Sequence, residues 1–342
     1  MSALVIRAPQ QAEVTDYDPP DPAEGECLVR VLAAGIGPSD LHVYRGDYRD
    51  QRYPRIPGLD VLGVVETCSG ALTPVRRVVI SQSIPCGICR ACVAGERERC
   101  YAPGLLGRDR DGGMRSWMPV SSPLLLPAPE DLSDDRAACV PETAYGLSLA
   151  AQATEEIGER MRSAEDAYIV IFGAGFLGIV TALAVAEAGC RPILVDVVQA
   201  RLELARSLGI RDTCNPLREF VGEQVHWITR RHYAAAAVVV SEDTEVVLTA
   251  PSVLRPGGRL LLTGHHPDSM LPVNALIANS VEVRGAVRTQ GFFAEAAGFI
   301  RRHGAAYEEL ISLVLEPESL PQALTLLADE PKSYMKIICR LH

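Results

Sequence analysis

A strand-like run followed by closely spaced glycines constrains the fold of this chain more than any other feature. Residues 168–172 read YIVIF, and the next six read GAGFLG, with a long apolar, helix-like segment after them. A GxGxxG that directly follows a strand and opens a helix is typical of dinucleotide binding. Gly173 would make the turn, Gly175 would let the backbone approach a pyrophosphate, and Gly178 would let helix and strand pack closely.

The residues around this motif indicate which dinucleotide it binds. Phe176 and Leu177 lie between the second and third glycines, and the helix N-terminus there offers free N–H groups to phosphates. The next strand-like run ends at Asp196, twenty-three residues after Gly173. An acid there accepts both ribose hydroxyls of the adenosine and repels a 2′-phosphate, so NAD(H) is favoured over NADP(H). Arg201 keeps NADP(H) open as an alternative, and Asp196 could instead cap the next helix.

The pattern of apolar runs changes near residue 143. Before it, short alternating runs such as ECLVRVLAAGI are separated by Pro and Gly clusters, which is typical of β-rich structure. After it, apolar strands alternate with helix-like segments, which predicts a parallel sheet covered by helices. We therefore predict an α/β fold with two domains. A β-rich domain covers 1–143 and is completed by 290–342, and a doubly wound dinucleotide-binding domain covers 144–289.

Four of the ten cysteines form a cluster with the spacing C-x2-C-x2-C-x7-C: Cys86, Cys89, Cys92 and Cys100. Four thiolates on a short loop suit a tetrahedral zinc without an open position, which makes the site structural. An iron–sulfur cluster is the alternative, but ferredoxin-type runs place the fourth cysteine three residues on, followed by proline. We expect the other six to be mostly reduced, buried thiols: Cys27, Cys68, Cys139, Cys190, Cys214 and Cys339.

Composition limits the classes of partner. The chain has 342 residues and a formal net charge of −10 without a basic run, which argues against nucleic acid and anionic membranes. The uncharged run over 168–186 is long enough to cross a bilayer, but its glycine-rich break favours a soluble strand, turn and helix. The N-terminus does not resemble a signal peptide, so we expect a cytoplasmic protein.

Nearly all of the basic charge is arginine. Lys332 and Lys336 are the only lysines, and both lie in the C-terminal tail. The chain therefore has neither the lysine of a nucleotide triphosphatase loop nor the Tyr-x-x-x-Lys pair of a short-chain reductase. A Schiff-base lysine is not expected either.

Together, the β-rich N-terminal part, the CxxCxxCx7C lobe, the GxGxxG and the late strand PGGRLLLTG resemble the medium-chain dehydrogenase/reductase family. The zinc alcohol and polyol dehydrogenases are the most similar members, and the resemblance covers essentially the whole chain. It implies a GroES-like catalytic domain, with the structural zinc lobe at 86–100, and a Rossmann domain. It also implies an NAD(P)-dependent oxidoreductase of a small-molecule substrate that forms a homodimer or homotetramer.

The resemblance fails at the positions that bind the family's catalytic zinc. The family has a cysteine in AGICGTDLH and a histidine in GHE. This chain has Gly37 in AGIGPSDLH and Leu59 in PGLDVLG, with Asp60 in place of the glutamate. Cys139 remains in the position of the third ligand, but catalytic zinc usually needs three protein ligands. We predict one structural zinc and no catalytic zinc. Substitute ligands are the alternative: Asp40, Glu142, His265 or His266.

Other parts of the family's machinery are present. Ser39 and His42 match its proton relay, although they could also be a turn residue and a helix-start residue. Thr143 matches the threonine beside the nicotinamide ring. The residues after the fourth strand match the backbone that lines the nicotinamide: Thr263, Gly264 and His265.

The loss of a Lewis acid decides which chemistry we predict. Zinc contributes several kcal/mol by stabilising an alkoxide, so oxidation of an unactivated alcohol becomes difficult. Hydride reduction of an activated acceptor, such as a conjugated C=C bond, an iminium ion, a quinone or a carbonyl, stays feasible. Ser39 with His42, or else Asp60, would supply the proton. One alternative is a dehydrogenase of an activated alcohol, sugar or cyclitol, either zinc-independent or with a rebuilt zinc site. Another is a non-catalytic or redox-neutral dinucleotide-binding protein.

Overall fold

The chain folds as two compact units, the first formed by Met1–Ala144 with Gln290–His342 and the second by Tyr145–Thr289. Each unit is built around a sheet of its own. The computed structural model describes residues 2–18, 20–69, 77–155, 167–266, 270–286, 291–330 and 332–341. Within these ranges, none of the helices combines the length and apolar character needed to cross a bilayer.

The strands, in chain order, are β1 (Ser2–Ala8), β2 (Gln11–Asp16), β3 (Glu26–Ile36), β4 (Asp60–Cys68), β5 (Arg77–Ile80), β6 (Ser83–Ile84), β7 (Gly104–Leu105), β8 (Trp117–Ser121), β9 (Leu125–Pro127), β10 (Tyr168–Phe172), β11 (Arg191–Val195), β12 (Asp212–Cys214), β13 (Ala234–Val239), β14 (Leu254–Leu262), β15 (Glu282–Gly285), β16 (Leu313–Leu315) and β17 (Ile337–Arg340). The helices are α1 (Pro38–Arg45), α2 (Arg90–Val93), α3 (Asp134–Ala138), α4 (Val140–Thr154), α5 (Phe176–Glu187), α6 (Gln199–Ser207), α7 (Val221–Ile228), α8 (Thr244–Thr249), α9 (Val273–Ala278), α10 (Phe293–Arg302), α11 (Gly304–Leu310) and α12 (Leu320–Asp329).

The first unit is β-rich, as its alternating apolar runs predict. Its main sheet has the strand order β16-β17-β3-β4-β5-β9, with β8 also paired to β3. Along β3, Cys27, Val29, Val31 and Ala33 are at most 1% exposed and alternate with partly exposed neighbours. This period of two puts one face of the strand on the core.

Strand order in this sheet brings the C-terminus of the chain to the centre of the first unit. β17 pairs antiparallel with β3, with Ile337 opposite Ile36, and β3 pairs with β4, with Gly35 opposite Asp60. Lys336, which directly precedes β17, therefore lies beside Gly35 and Asp60, although it is far from both in sequence.

Two cysteines that we expected to be reduced thiols form a disulfide, and the prediction is wrong for this pair. Cys27 on β3 and Cys68 on β4 are register partners and are bonded to each other. Directly opposite residues of an antiparallel pair lie close enough for their side chains to meet. The two cysteines are 41 residues apart in the sequence, so their contact could not be predicted from spacing. The other four of the six are buried and do not form disulfides: Cys139, Cys190, Cys214 and Cys339.

The second unit contains the predicted parallel sheet. Its strand order is β12-β11-β10-β13-β14-β15, and each neighbouring pair is parallel. All five residues of β10 are buried, because a parallel strand covered on both faces exposes neither. After β10, the chain adds β11 and β12 on one side of that strand and then β13, β14 and β15 on the other side. The direction of strand order therefore reverses between β10 and β13. Ligands of doubly wound sheets bind at such a switch point. The predicted α/β fold is confirmed.

Candidate functional site

The four clustered cysteines lie on the loop between β6 and β7. The sulfur atoms of Cys86, Cys89, Cys92 and Cys100 all lie within 4.8 Å of one another. The Sγ atoms of Cys86 and Cys92 are 4.0 Å apart, as are those of Cys89 and Cys100. Sulfurs bound tetrahedrally to zinc at 2.3 Å are separated by about 3.8 Å. The cluster therefore has the dimensions of a closed zinc site.

Backbone N–H groups prepare these thiols for a cation. Hydrogen bonds from the backbone of Tyr101 and Cys92 lower the pKa of Cys89 to about 6. The N–H of Cys86 donates to Cys100 Sγ at 3.2 Å and lowers the pKa of that thiol. Burial raises the pKa of Cys92 to about 12, and hydrogen bonds to the neighbouring thiols add to this shift. Four thiolates can therefore form together only around a bound cation.

A buried ammonium group lies at the centre of the first unit. The side chain of Lys336 is 2% exposed, and its Nζ donates to Asp60 Oδ2 and, at 2.5 Å, to Glu142 Oε2. The Asp60 side chain is 4% exposed and also accepts a hydrogen bond from Gln82 Nε2. The Glu142 side chain is 17% exposed. These three residues, Lys336, Asp60 and Glu142, are called the lysine cluster below.

The lysine cluster holds its positive charge firmly. Burial alone would lower the pKa of Lys336, but the attraction of Asp60 and Glu142 outweighs burial and raises this pKa above its ordinary value. Lys336 is therefore an ammonium ion throughout the physiological pH range. Asp60, which we predicted as a candidate proton donor, is an acceptor of hydrogen bonds from both Lys336 and Gln82 in this arrangement.

The residues at the expected zinc-ligand positions offer little to a metal. Gly37 is the N-cap of α1 and has no side-chain donor atom, and Leu59 is 7% exposed within the apolar core. Cys139 is fully buried, and its thiol donates to Asp135 O at 3.4 Å. Burial raises the pKa of Cys139, so the thiol stays neutral. Over the described ranges of the chain, only the four-cysteine cluster brings three or more His, Cys, Asp or Glu ligand atoms within 4.8 Å.

Helix α1 carries the two predicted relay residues. Ser39 and His42 are three residues apart on the helix, so they are neighbours on its surface. His42 Nδ1 lies 2.6 Å from Asp47 Oδ2. A carboxylate in this position favours the tautomer with the proton on Nδ1 and leaves Nε2 as the acceptor.

Asp40 ties α1 to the segment that contains Leu59. It accepts hydrogen bonds from Gly58 N at 2.6 Å and from Gly37 N at 3.1 Å. Burial raises the pKa of Asp40 to about 6, although both N–H groups oppose the shift. Backbone donors therefore hold both oxygens of the Asp40 carboxylate.

The glycine loop of the second unit fits a pyrophosphate. Gly173 has φ 109°, in the left-handed region, and a Cβ on Gly178 would overlap the carbonyl oxygen of Gly173. Nothing lies within 4 Å of the position that a Cβ on Gly175 would take, and α5 begins with Phe176 and Leu177 directly after it. The first N–H groups of α5 are therefore accessible to an anion.

Asp196 lies beside this loop at the end of β11. Its Oδ2 accepts from Ala174 N at 2.6 Å and its Oδ1 accepts from Val198 N at 2.7 Å. It therefore contacts the glycine loop and also accepts from Val198, the N-cap residue of α6, whose own side chain makes no cap. Arg201 NH1 is 4.0 Å from Asp196 Oδ2.

The residues expected near the nicotinamide have partners that the sequence did not reveal. In the first unit, the hydroxyls of Thr143 and Tyr307 are 2.6 Å apart, and both residues are fully buried. In the second unit, the Thr263 hydroxyl bonds to the Tyr145 hydroxyl. Gly264 follows with φ 88°, and His266 Nε2 lies 2.9 Å from Thr263 O. The hydroxyl of Thr263 is thus engaged within the second unit. His265 is a partly buried neighbour of this turn.

Sequence reasoning missed Lys336, although one signal was present. Of 33 basic residues, only two are lysines. In a chain that uses arginine almost everywhere, this position has a lysine, whose ammonium is a compact point charge between two carboxylates. An ideal Cβ on Gly35 would lie 2.7 Å from Lys336 Cε, which shows how closely the lysine stem passes over β3.

Comparison with known proteins gives two family matches. Residues 23–130 match the model described as "Alcohol dehydrogenase GroES-like domain", and residues 177–302 match "Zinc-binding dehydrogenase". An uncharacterised zinc-type alcohol dehydrogenase-like protein of Haemophilus influenzae is 29% identical over 98% of each chain.

Two solved structures share the fold. An Escherichia coli alcohol dehydrogenase, solved with NADH, has a TM-score of 0.86 and 21% identity, over 100% of this chain and 99% of that one. A dehydrogenase of Sinorhizobium meliloti described as zinc-binding, solved with NADP, has a TM-score of 0.83 and 21% identity, over 99% and 98%.

Proposed function

The chain belongs to the zinc-type alcohol dehydrogenase-like group of the medium-chain dehydrogenase/reductase family, and on that premise we propose an NADH-dependent reductase of an activated acceptor. We further propose that it holds one structural zinc, at the four cysteines, and no catalytic zinc. The observation that carries the proposal is the lysine cluster: a buried ammonium lies where Asp60 of PGLDVLG would otherwise face a metal.

Electrostatics supports the proposal that the lysine cluster excludes a second zinc. A divalent cation placed near Lys336 would meet a like charge at low dielectric. Asp60 and Glu142, which could bind a metal, already accept hydrogen bonds from the ammonium. Drawing either carboxylate to a metal would break its hydrogen bond to the buried ammonium.

The proposed chemistry follows from what this site can supply. The nicotinamide cofactor supplies a hydride. The glycine loop and the α5 N-terminus would hold its pyrophosphate, and Asp196 would accept its ribose hydroxyls. Since no group in the lysine cluster is a ready proton donor, His42 and Ser39 on α1 would supply a proton where the product needs one. Asp47 would stabilise the charged imidazole.

An activated-alcohol dehydrogenase is the second candidate, and the His42–Asp47 pair is the observation that favours it. A neutral imidazole oriented by a carboxylate can accept a proton as readily as it can deliver one. The same relay, used in reverse, would serve the oxidation of a sugar or cyclitol whose C–H bond is already activated.

The test measures zinc content and reaction direction on the purified, tag-free chain. We expect about one zinc per chain, NADH oxidation with at least one of 2-cyclohexenone, 1,4-benzoquinone or an iminium salt, and insensitivity to dipicolinic acid at concentrations that leave the structural zinc in place. Two zinc equivalents together with chelator-sensitive oxidation of ethanol or sorbitol would overturn the proposal. Chelator-insensitive NADH formation from a polyol would favour the second candidate.

We expect Asp196→Asn to lower the preference for NADH over NADPH about tenfold or more, because the change removes the charge that repels a 2′-phosphate. The measurement is the ratio of kcat/KM for the two cofactors. Asp212→Asn, on the neighbouring strand β12, is the matched control and should leave the ratio unchanged. An unaltered ratio in Asp196→Asn would show that another residue selects the cofactor.

We also propose a homo-oligomer, a small-molecule substrate and no nucleic-acid or membrane partner. Support for the oligomer comes from the second unit, where β15 ends the order of the parallel sheet. Large apolar side chains are exposed on and near this edge: Met270, Val273, Ile277 and Val283.

A cytoplasmic location is proposed because the four-thiolate site needs reduced cysteines. In that compartment the Cys27–Cys68 pair would be in exchange with its reduced form.

A further inference from the structure

We infer that the second unit has a docking groove for a partner protein, and that the segment bound there is acidic and carries large apolar side chains. The groove lies along α7 and the turn after it, and its volume is about 1230 Å³. It shares no residue with the glycine loop, and the inference does not depend on the proposed reaction. It is called the α7 groove below, and its lining includes Arg218, Phe220, Trp227, Arg230, Arg231 and Tyr233.

Helix α7 has large apolar residues on two different sides. Val221, Val225 and Ile228 follow the helical spacing and pack on the core of the second unit. Phe220 and Trp227 lie on another side, seven residues or about 10 Å apart along the helix axis, and they are 80% and 76% exposed. A surface helix normally has polar residues away from the core. The exposed aromatic pair therefore indicates a surface that a partner covers.

Charge in the α7 groove indicates the chemistry of that partner. Arg218 precedes the aromatic pair, and Arg230 and Arg231 follow it, while Glu219 and Glu223 also line the groove. Three arginines against two glutamates leave a positive charge here, on a chain whose formal net charge is −10. Complementary charge selects partners at an interface, so the groove favours an acidic segment. Separate carboxylates can avoid the two glutamates, whereas a continuous phosphate backbone would be repelled by them.

The turn after α7 has side chains at positions where glycine would be unstrained. Arg230, Arg231 and Tyr233 have φ values of 52°, 76° and 58°, in the left-handed region that is uncommon for residues other than glycine. The turn after α6 has glycine in this region, at Gly209 with φ 97°. Residues held in such conformations cluster at functional sites. The arginines and the tyrosine of this turn therefore indicate a role that glycine could not fill.

The residue types in the α7 groove suit a protein interface better than a small-molecule site. Tryptophan, tyrosine and arginine contribute most of the binding energy at protein interfaces, and the groove has all three. A small-molecule site encloses most of its ligand, whereas Phe220 and Trp227 are each more than three-quarters exposed. A segment of another protein can lie along an open groove and place an apolar side chain against Trp227.

The first experiment measures binding of fluorescein-labelled peptides to the purified full chain by fluorescence anisotropy. The probe is EEDLFEELED, with QQNLFQQLQN as the uncharged control and EEDAAEEAED as the control without large apolar residues. We expect the probe to bind about tenfold or more tightly than either control, and to bind less tightly as salt is added. Failure of the probe to bind, or equal binding of a control, would overturn the inference. Tighter binding of a labelled thymidine oligonucleotide would also overturn it.

The second experiment locates the bound peptide. Trp227→Ala and Arg231→Gln should each weaken binding of EEDLFEELED about tenfold or more, and both residues are exposed. Ile277→Ala and Arg206→Gln, at exposed positions of the second unit outside the α7 groove, are the matched controls and should leave binding unchanged. Circular dichroism and NADH affinity report whether each variant is folded. Unchanged binding in folded Trp227→Ala would overturn the inference.

Sedimentation equilibrium distinguishes a partner protein from a second copy of this chain. We expect the unchanged protein and Trp227→Ala to have the same oligomeric state, because the oligomer proposed above uses the edge at β15. Dissociation of the oligomer in Trp227→Ala would overturn the inference and show that a second copy covers the α7 groove.

Discussion

Lys336→Ala is expected to destabilise the protein by about 3–5 kcal/mol, because it leaves the buried Asp60 and the partly buried Glu142 without their shared cation. The Asp60 side chain is 4% exposed, so water cannot replace the ammonium without opening the first unit. The measurement is the free energy of unfolding in urea, followed by a signal from the first unit.

Two further variants distinguish the effect of losing the ion pairs from the effect of losing side-chain packing. Lys332→Ala removes the only other lysine, which is exposed, and should change the free energy of unfolding by less than about 0.5 kcal/mol. The triple variant Lys336→Met, Asp60→Asn and Glu142→Gln removes all three charges together and should recover much of the stability, because no buried charge is left unpaired. If Lys336→Ala is as stable as Lys332→Ala, the ammonium is not buried as described.

Cys92→Ser is expected to reduce bound zinc from about one equivalent to near zero, because a closed tetrahedral site needs all four thiolates. Loss of the metal should also unfold the lobe over 86–100, since its short helices have few apolar contacts and Val93 is 77% exposed. Elemental analysis measures the zinc, and limited proteolysis followed by mass spectrometry locates the cleavage within the lobe.

Cys190→Ser is the matched control for the zinc experiment. Cys190 is a free, buried thiol of the second unit, outside the four-cysteine cluster. It should leave the zinc content unchanged, even if the buried hydroxyl lowers stability. Full zinc retention in Cys92→Ser would contradict the assignment of the cluster as the structural site.

Local motifs made much of this fold predictable. The GxGxxG works within one strand–turn–helix unit, as the overlap between a Cβ on Gly178 and the carbonyl oxygen of Gly173 shows. The cysteine cluster is similar, because a loop of fifteen residues brings its own ligands together. Loss of the family's ligands at Gly37 and Leu59 was equally visible in the sequence.

The buried ammonium beside Asp60 was not visible in the sequence. Lys336 follows Asp60 by 276 residues, and only the strand order β17-β3-β4 makes them neighbours. The Thr143–Tyr307 hydrogen bond and the Cys27–Cys68 disulfide were hidden for the same reason. From the sequence alone, a lysine near the C-terminus is expected to be exposed, and only the pairing of β17 with β3 shows that it is buried.

The amino-acid sequence by itself determined the α/β class, the dinucleotide loop, the four-thiolate site and the absence of two expected zinc ligands. Each of these depends on residue type at short spacing, where chain geometry leaves little choice. The tertiary structure alone decided which charge lies beside Asp60 and Glu142, how deeply it is buried and which carboxylate stays partly exposed. Charge interactions depend on distance and on exclusion of water, and both are set by long-range strand pairing that no local pattern encodes.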